Sequence, residues 1–156
     1  MPSRFFYRAA SAPAPNRPPS LGVVALLERD GALLLDCRSD SGRWGLIGGA
    51  VEPDESLDEA LRREVAEETG LAIQRYTLFG TFSDPSRLIQ YPDDTIVRII
   101  TLAYQVPVAP DATPRVSVEA TALHFFSRAA LHDLDIVETH RHIVEHWLAN
   151  EILVLD

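Results

Sequence analysis

Residues 49–71, GAVEPDESLDEALRREVAEETGL, are the stretch on which the reading of this chain turns. Ser56 followed three positions later by Glu59 has the spacing of a capping box, in which each residue bonds the other's backbone amide. Leu57, Leu61 and Val65 recur at helical intervals, and Gly70 supplies a left-handed stop, so the spacing predicts a helix over residues 57–69. The segment carries eight acids against two arginines, Arg62 and Arg63, and holds most of the net charge of the chain. With Leu57 at the origin and about 100° per residue, Leu61 and Val65 fall at about 40° and 80°, while Glu64, Glu68 and Glu67 fall at about 340°, 20° and 280°. Three carboxylates are therefore expected on the face that the apolar residues press against the protein.

Anions converging at the edge of a low-dielectric interior repel one another and lose hydration. They protonate, or cost several kcal/mol, unless a cation joins them. A hard divalent ion suits such a site, and oxygen ligands point to Mg²⁺, or to Mn²⁺, rather than zinc. Mg²⁺ commonly bridges to phosphate oxygens, which turns a metal expectation into one of phosphate chemistry. The plainer alternative is a solvated acidic helix face balanced by arginines.

The rest of the composition narrows the choice. The chain has 156 residues, 46% hydrophobic and 24% charged, the size of one domain rather than of an enzyme with a separate cofactor domain. Cys37 is the only cysteine, which removes intrachain disulfides and cysteine-rich zinc sites. All 14 basic residues are arginine, so a Walker lysine and lysine Schiff-base chemistry are excluded. A net charge of −9 without a basic stripe argues against nucleic-acid polymers as partners. With no long apolar run and no signal-peptide pattern, the expectation is a soluble, cytoplasmic protein without a membrane partner.

Outward from the acidic helix, residues 1–20 are rich in proline, alanine and serine and read as a flexible N-terminal arm. Residues 21–37 read as a hairpin turning at Glu28-Arg29-Asp30-Gly31, and Trp44–Ile47 as a short strand entering Gly48-Gly49. Further strands are predicted over 71–82, 95–106 and 120–126, with a second helix over 136–150. The order suggests an α/β fold with a mixed sheet and helices packed on it.

Residues 49–71 resemble the Nudix box at each of its specified positions: Gly49, Glu55, Arg63, Glu64, Val65, Glu67, Glu68, Gly70 and Leu71. Seven fixed residues at fixed spacing make coincidence very improbable. The resemblance implies a Nudix α/β/α sandwich, its sheet between helices, over residues 21–156, and hydrolysis of a diphosphate linkage in a nucleoside diphosphate derivative, a triphosphate or an ADP-ribose-like conjugate. It implies Glu64, Glu67 and Glu68 as metal ligands with the Gly49 carbonyl, Arg63 steadying them, and Glu55 fixing the loop or joining the outer metal shell. For the base that takes a proton from water, Glu68, Glu67, Glu52 and Glu119 are candidates. Ile47 departs from the proline common before the double glycine, and Pro85 lies one residue short of a position associated with ADP-ribose cleavage.

A base could stack on Trp44, Phe82 or Tyr91, and Arg43, Arg87 or Arg98 could meet phosphate. A homodimer is an allowed arrangement. Three rivals remain. A Nudix fold kept as an inactive nucleotide-binding module is disfavoured by the complete set of box acids. Isoprenoid diphosphate isomerisation calls for a reactive cysteine, and Cys37 reads as a strand residue. His142-Ile-Val-Glu-His146 fits a zinc-peptidase pattern, but the helical wheel expects both histidines to face solvent, with only ten residues left to supply a third ligand.

Overall fold

Val23–Leu27 and Leu33–Leu35 are apolar without alternation, the pattern of strands covered on both faces. In the computed structural model, which describes residues Met1–Asp156, both runs are buried in the centre of a sheet. Its strands are β1 (Arg4–Phe6), β2 (Ser20–Arg29), β3 (Ala32–Arg38), β4 (Trp44–Ala50), β5 (Thr77–Phe82), β6 (Leu88–Gln90), β7 (Ile96–Pro107), β8 (Ala120–Phe126) and β9 (Val154–Leu155). The helices are α1 (Leu57–Thr69), α2 (Arg128–Leu131) and α3 (Glu138–Leu148).

The main strand order is β1-β6-β7-β2-β4-β3-β8, with β5 pairing to β7 and β9. The sheet is mixed, because β2 runs parallel to β7 and β5 parallel to β9 while the other pairs are antiparallel. Alternation along β2 divides the core. Val23, Ala25 and Leu27 join Ala60, Leu61 and Val65 of α1 on one face. Val24 and Leu26 join Ile143, Val144 and Trp147 of α3 on the other. The sheet thus lies between helices, as the α/β/α expectation requires.

Local signals in the sequence act as expected where they are strong. Asp30 and Gly31 turn the β2–β3 hairpin with φ of 51° and 75°, the paired positive values that a two-residue turn of this hand demands. The Ser56 hydroxyl accepts from the Glu59 amide at 3.1 Å while the Glu59 carboxylate accepts from the Ser56 amide at 2.8 Å. Gly70 closes α1 with φ 71°.

Two expectations are corrected. The predicted strand over 71–82 begins only at Thr77, because residues 71–76 pack back on α1, where Ile73 is buried and its carbonyl accepts from Arg62 at 2.8 Å. The N-terminal residues are not a free arm. β1 pairs with β6, and Phe5 and Phe6 are 8% and 5% exposed. Three-residue strands such as β1 and β6 carry no periodic signal, so only their tertiary partners reveal them. Phe6→Ala is expected to cost about 3 kcal/mol of unfolding free energy, read by urea denaturation; an unchanged midpoint would show that β1 does not belong to the fold.

Candidate active site

The acids of α1 are placed by the residues that bury the helix. Ala60, Leu61, Val65 and Thr69 face the sheet, and Glu64 and Glu68 flank them at the end of β4. The Glu68 carboxylate accepts from the Gly48 amide at 2.7 Å. Gly48 has φ 154°, and a Cβ there would fall on the Val23 carbonyl, so β2 and β4 could not close up with any larger residue. A Cβ at Gly49 would fall on the Glu64 carboxylate. The double glycine is therefore the cradle that lets two carboxylates approach the backbone.

Arg63 holds the cluster from the outside. Its guanidinium donates to Glu55 at 2.9 Å, to Glu64 at 2.7 Å, to Glu67 at 3.2 Å and to the Ala50 carbonyl at 3.1 Å. Arg63 holds Glu55 down to about 2. Burial raises the Glu64 carboxyl despite Arg63, with Glu67 and Glu119 adding to the rise. Burial pushes Glu68 up to about 8, with Asp36, Glu64 and Glu119 repelling its charge and only the Gly48 amide opposing. Carboxylates that resist ionisation in this way fit a hard divalent cation, whose charge replaces the missing hydration.

Not every expected residue lies at this centre. Glu67 was expected inward, but its side chain is 61% exposed; it stands at the rim, where Arg63 reaches it. Glu52 is exposed and its amide donates to Glu55 at 3.0 Å. Glu119 precedes β8 and is held to the Ser39 hydroxyl by its own carbonyl at 2.8 Å. Its charge adds to the repulsion on Glu64 and Glu68, from an exposed position just before β8.

Two residues went unrecognised in the sequence. Asp36 is 8% exposed within the apolar run of β3 and rises to about 6, chiefly through burial. His140, on α3, accepts the Leu46 amide on Nδ1 at 3.0 Å and is pushed down to about 3 by burial, with Arg87 and Arg38 adding to the effect. Both side chains meet at Gly45, where an added Cβ would lie 3.2 Å from each. Asp36 looks like one polar break in a buried strand, and its neighbourhood is visible only once β4 sets Gly45 opposite it and α1 brings the Glu68 charge within range.

Beside the double glycine opens a cleft of about 160 Å³, with Gly22, Gly49, Phe5, Arg38, Tyr91 and His140 among its walls. Of the residues expected to touch a nucleotide, Tyr91 is there, 39% exposed. The others are engaged elsewhere. Trp44 packs edge-on against Phe126 at 4.7 Å and is part of the α3-side core. Arg43 is bound to Asp135 at 2.9 Å and Glu138 at 3.0 Å. Arg87 is 1% exposed, donating to the Thr139 carbonyl and the Thr101 hydroxyl. Phe82 is fully buried, and Arg98 is spent on the Ser83 carbonyl. Arg38, which lines the cleft instead, had no motif to mark it.

A sheet between helices, with a glutamate-rich helix docked on a double glycine, is the arrangement of one known class, and the NUDIX domain model matches residues 16–147. The chain belongs to the NUDIX family. It is 45% identical over 80 residues to the nucleoside triphosphatase NudI of Escherichia fergusonii, an overlap covering 47% of this chain and 56% of that protein. The chain thus spans about half the length of the curated relatives it matches. A MutT NUDIX hydrolase from Burkholderia pseudomallei aligns over 83% of this chain and 98% of its own, with a TM-score of 0.65 and 29% identity. The NUDIX domain of Shewanella oneidensis NrtR, solved with ADP ribose, aligns over 92% of this chain and 93% of its own with a TM-score of 0.68; at 21% identity it shows the fold alone.

Without a cation, the raised Glu68 carboxyl binds a proton in the folded protein across the range from its ordinary 4.5 to about 8. The stability it contributes is full below that range and is lost as pH rises through it. His140, held neutral, acts with the opposite sign, costing stability as pH falls below 6.5. Glu68→Gln is therefore expected to remove the decline toward pH 8 while leaving the acid side unchanged, in denaturant titrations with chelator present. Parallel pH profiles for the two proteins would contradict the placement of Glu68.

Proposed function

We propose that this chain is a divalent-metal-dependent hydrolase that splits a diphosphate linkage in a small nucleotide, with Mg²⁺ as its usual ion and Mn²⁺ as a substitute. The observation that carries the reading is the carboxylate centre of Glu64 and Glu68, half-buried against Gly48-Gly49 and lying beside the cleft that Gly48 and Gly49 line. Glu64 and Glu68 would hold the metal with the Gly49 carbonyl, and Glu67 at the rim could join them. The bound ion would supply charge neutralisation on the diphosphate and acidify the attacking water.

The chain's own residues do the rest. Water oxygen bonds to phosphorus, the bridging P–O bond breaks, and one proton must leave the water. Glu119 is our candidate for this task, because its charge acts on both Glu64 and Glu68. Asp36, buried and raised to about 6, adds negative charge behind Glu68 and tightens its hold on a cation. Arg63 fixes Glu55 and Glu64 so that the ligands need not reorganise on binding. In the cleft, Tyr91 offers an aromatic face to a base, and Arg38, paired with Asp40 at 2.8 Å and lying over the Phe5 ring, would have to exchange that partner to meet a phosphate.

A nucleoside triphosphate is the first substrate to try, since the NudI proteins are nucleoside triphosphatases, with nucleoside diphosphate conjugates beside it. The test is a panel of triphosphates and diphosphate conjugates with Mg²⁺ or Mn²⁺, followed by product identification. Turnover of one class is expected, and Glu64→Gln or Glu68→Gln should lower it by more than about 100-fold, beyond the loss usual for outer-shell partners. Tight nucleotide binding without turnover across the panel would assign an inactive binding module instead, and equal activity in wild type and variants would remove the glutamates from the reaction.

A further inference from the structure

His142 and His146 lie one turn apart on α3, the spacing at which side chains stack on one helix face. The sequence expectation that they face solvent does not hold, since their side chains are 13% and 21% exposed. Both turn toward Asp156. That residue is fixed by the sheet edge rather than by charge alone: its amide donates to the Thr81 carbonyl at 3.0 Å, and its carbonyl accepts from the Ser83 amide at 2.6 Å. The Nε2 atoms of the two histidines are 3.3 Å apart, and His146 Nε2 is 3.1 Å from Asp156 Oδ2. His142 Nε2 also contacts Asp156 Oδ2 and lies 3.1 Å from the Tyr7 hydroxyl.

Hydrogen bonding completes this cluster when His146 carries protons on both ring nitrogens, and a cation is the alternative when the ring is neutral. The far side of the His146 ring, Nδ1, meets the Glu151 carboxylate. In a neutral ring with its proton there, Nε2 turns a lone pair toward His142 Nε2 and Asp156 Oδ2. One cation placed among them satisfies all three. Tetrahedral bonds of about 2.0–2.1 Å set ligand atoms about 3.3 Å apart, which the two edges at His146 match, while His142 Nε2 and Asp156 Oδ2 stand closer and would part as the ion enters. An imidazole whose other nitrogen is held by a carboxylate is the usual support of a metal-bound histidine. The rings are oriented further by Tyr7, stacked on His142 at 4.3 Å, and by the edge of Phe82, 6.0 and 5.7 Å from the two histidines.

We propose that His142, His146 and Asp156 form a second metal site, taking a borderline divalent transition ion, Zn²⁺ foremost, with water in the fourth position and the Tyr7 ring stacked on His142. Two imidazoles and one carboxylate select such an ion over Mg²⁺. The site is separate from the acid centre, since α3 and α1 pack on opposite faces of the sheet. Its role is to clamp three pieces of chain: α3, the segment of β9 beside β5, and the segment following β1. Peptide cleavage is not its role. The hollow above it is open and bordered only by His142, Glu145, His146 and Glu151, which gives an ion a way in but no groove for a substrate.

The test uses the full chain carrying Glu64→Gln and Glu68→Gln, so that the acid centre does not compete, stripped with chelator and titrated calorimetrically with Zn²⁺. One equivalent bound with sub-micromolar affinity is expected, lost on adding His142→Ala or Asp156→Asn. Glu151→Gln, at an exposed position, should keep the fold and weaken binding about 10- to 100-fold. Co²⁺ in place of Zn²⁺ should give the intense visible absorption of a tetrahedral site. No stoichiometric uptake, or uptake that ignores all three variants, would overturn the proposal. None of these readouts depends on nucleotide hydrolysis.

Discussion

The structure depends on one electrostatic problem: Glu64 and Glu68 are brought to the backbone of Gly48-Gly49, partly out of water, with the charges of Asp36 and Glu119 adding to the repulsion on Glu68. Apolar burial of Leu61 and Val65 fixes α1 on the sheet, and the helix then has no freedom to withdraw the acids on its flank. Packing energy is converted into charge crowding, which the proposed cation would relieve.

The rest of the fold keeps that crowding in place. β4 carries the double glycine because β2 lies beside it with Val24 opposite Gly48. β3 brings Asp36 alongside Gly45, and α3 brings His140 to the same glycine from the other layer. Arg63 meets the outer charges with four acceptors on three elements of local structure. Its position, between Glu55 in the loop and Glu64 on the helix, leaves Glu68 as the carboxylate that only a cation or a proton can quiet.

Legibility in the sequence followed the range of the physics. Contacts within one turn of chain were readable: the Ser56 cap, the Gly70 stop, the Asp30-Gly31 turn and the inward glutamates all come from spacing alone. The strands buried on both faces announced themselves through unbroken apolar runs. What failed depended on distant partners. β1 is a strand only because β6 is there; Arg87 is buried among Thr101, Thr139 and Phe82 rather than at a phosphate; and Arg43 is claimed by acids some ninety residues away. Wheels placed Glu64 and Glu68 correctly and Glu67 too far inward. They also turned His142 and His146 to solvent, because a wheel drawn on one helix does not see Asp156 arriving from β9.

Calorimetry of Mn²⁺ binding at pH 7 in buffers of different ionisation enthalpy tests the central claim most directly, because it counts the protons that leave when the ion enters. Glu68, raised to about 8 by burial and its acidic neighbours, should hold a proton before binding and release it on binding, and that release should vanish in Glu68→Gln. Binding that displaces no proton in the wild type, or displaces the same number in the variant, would contradict the account.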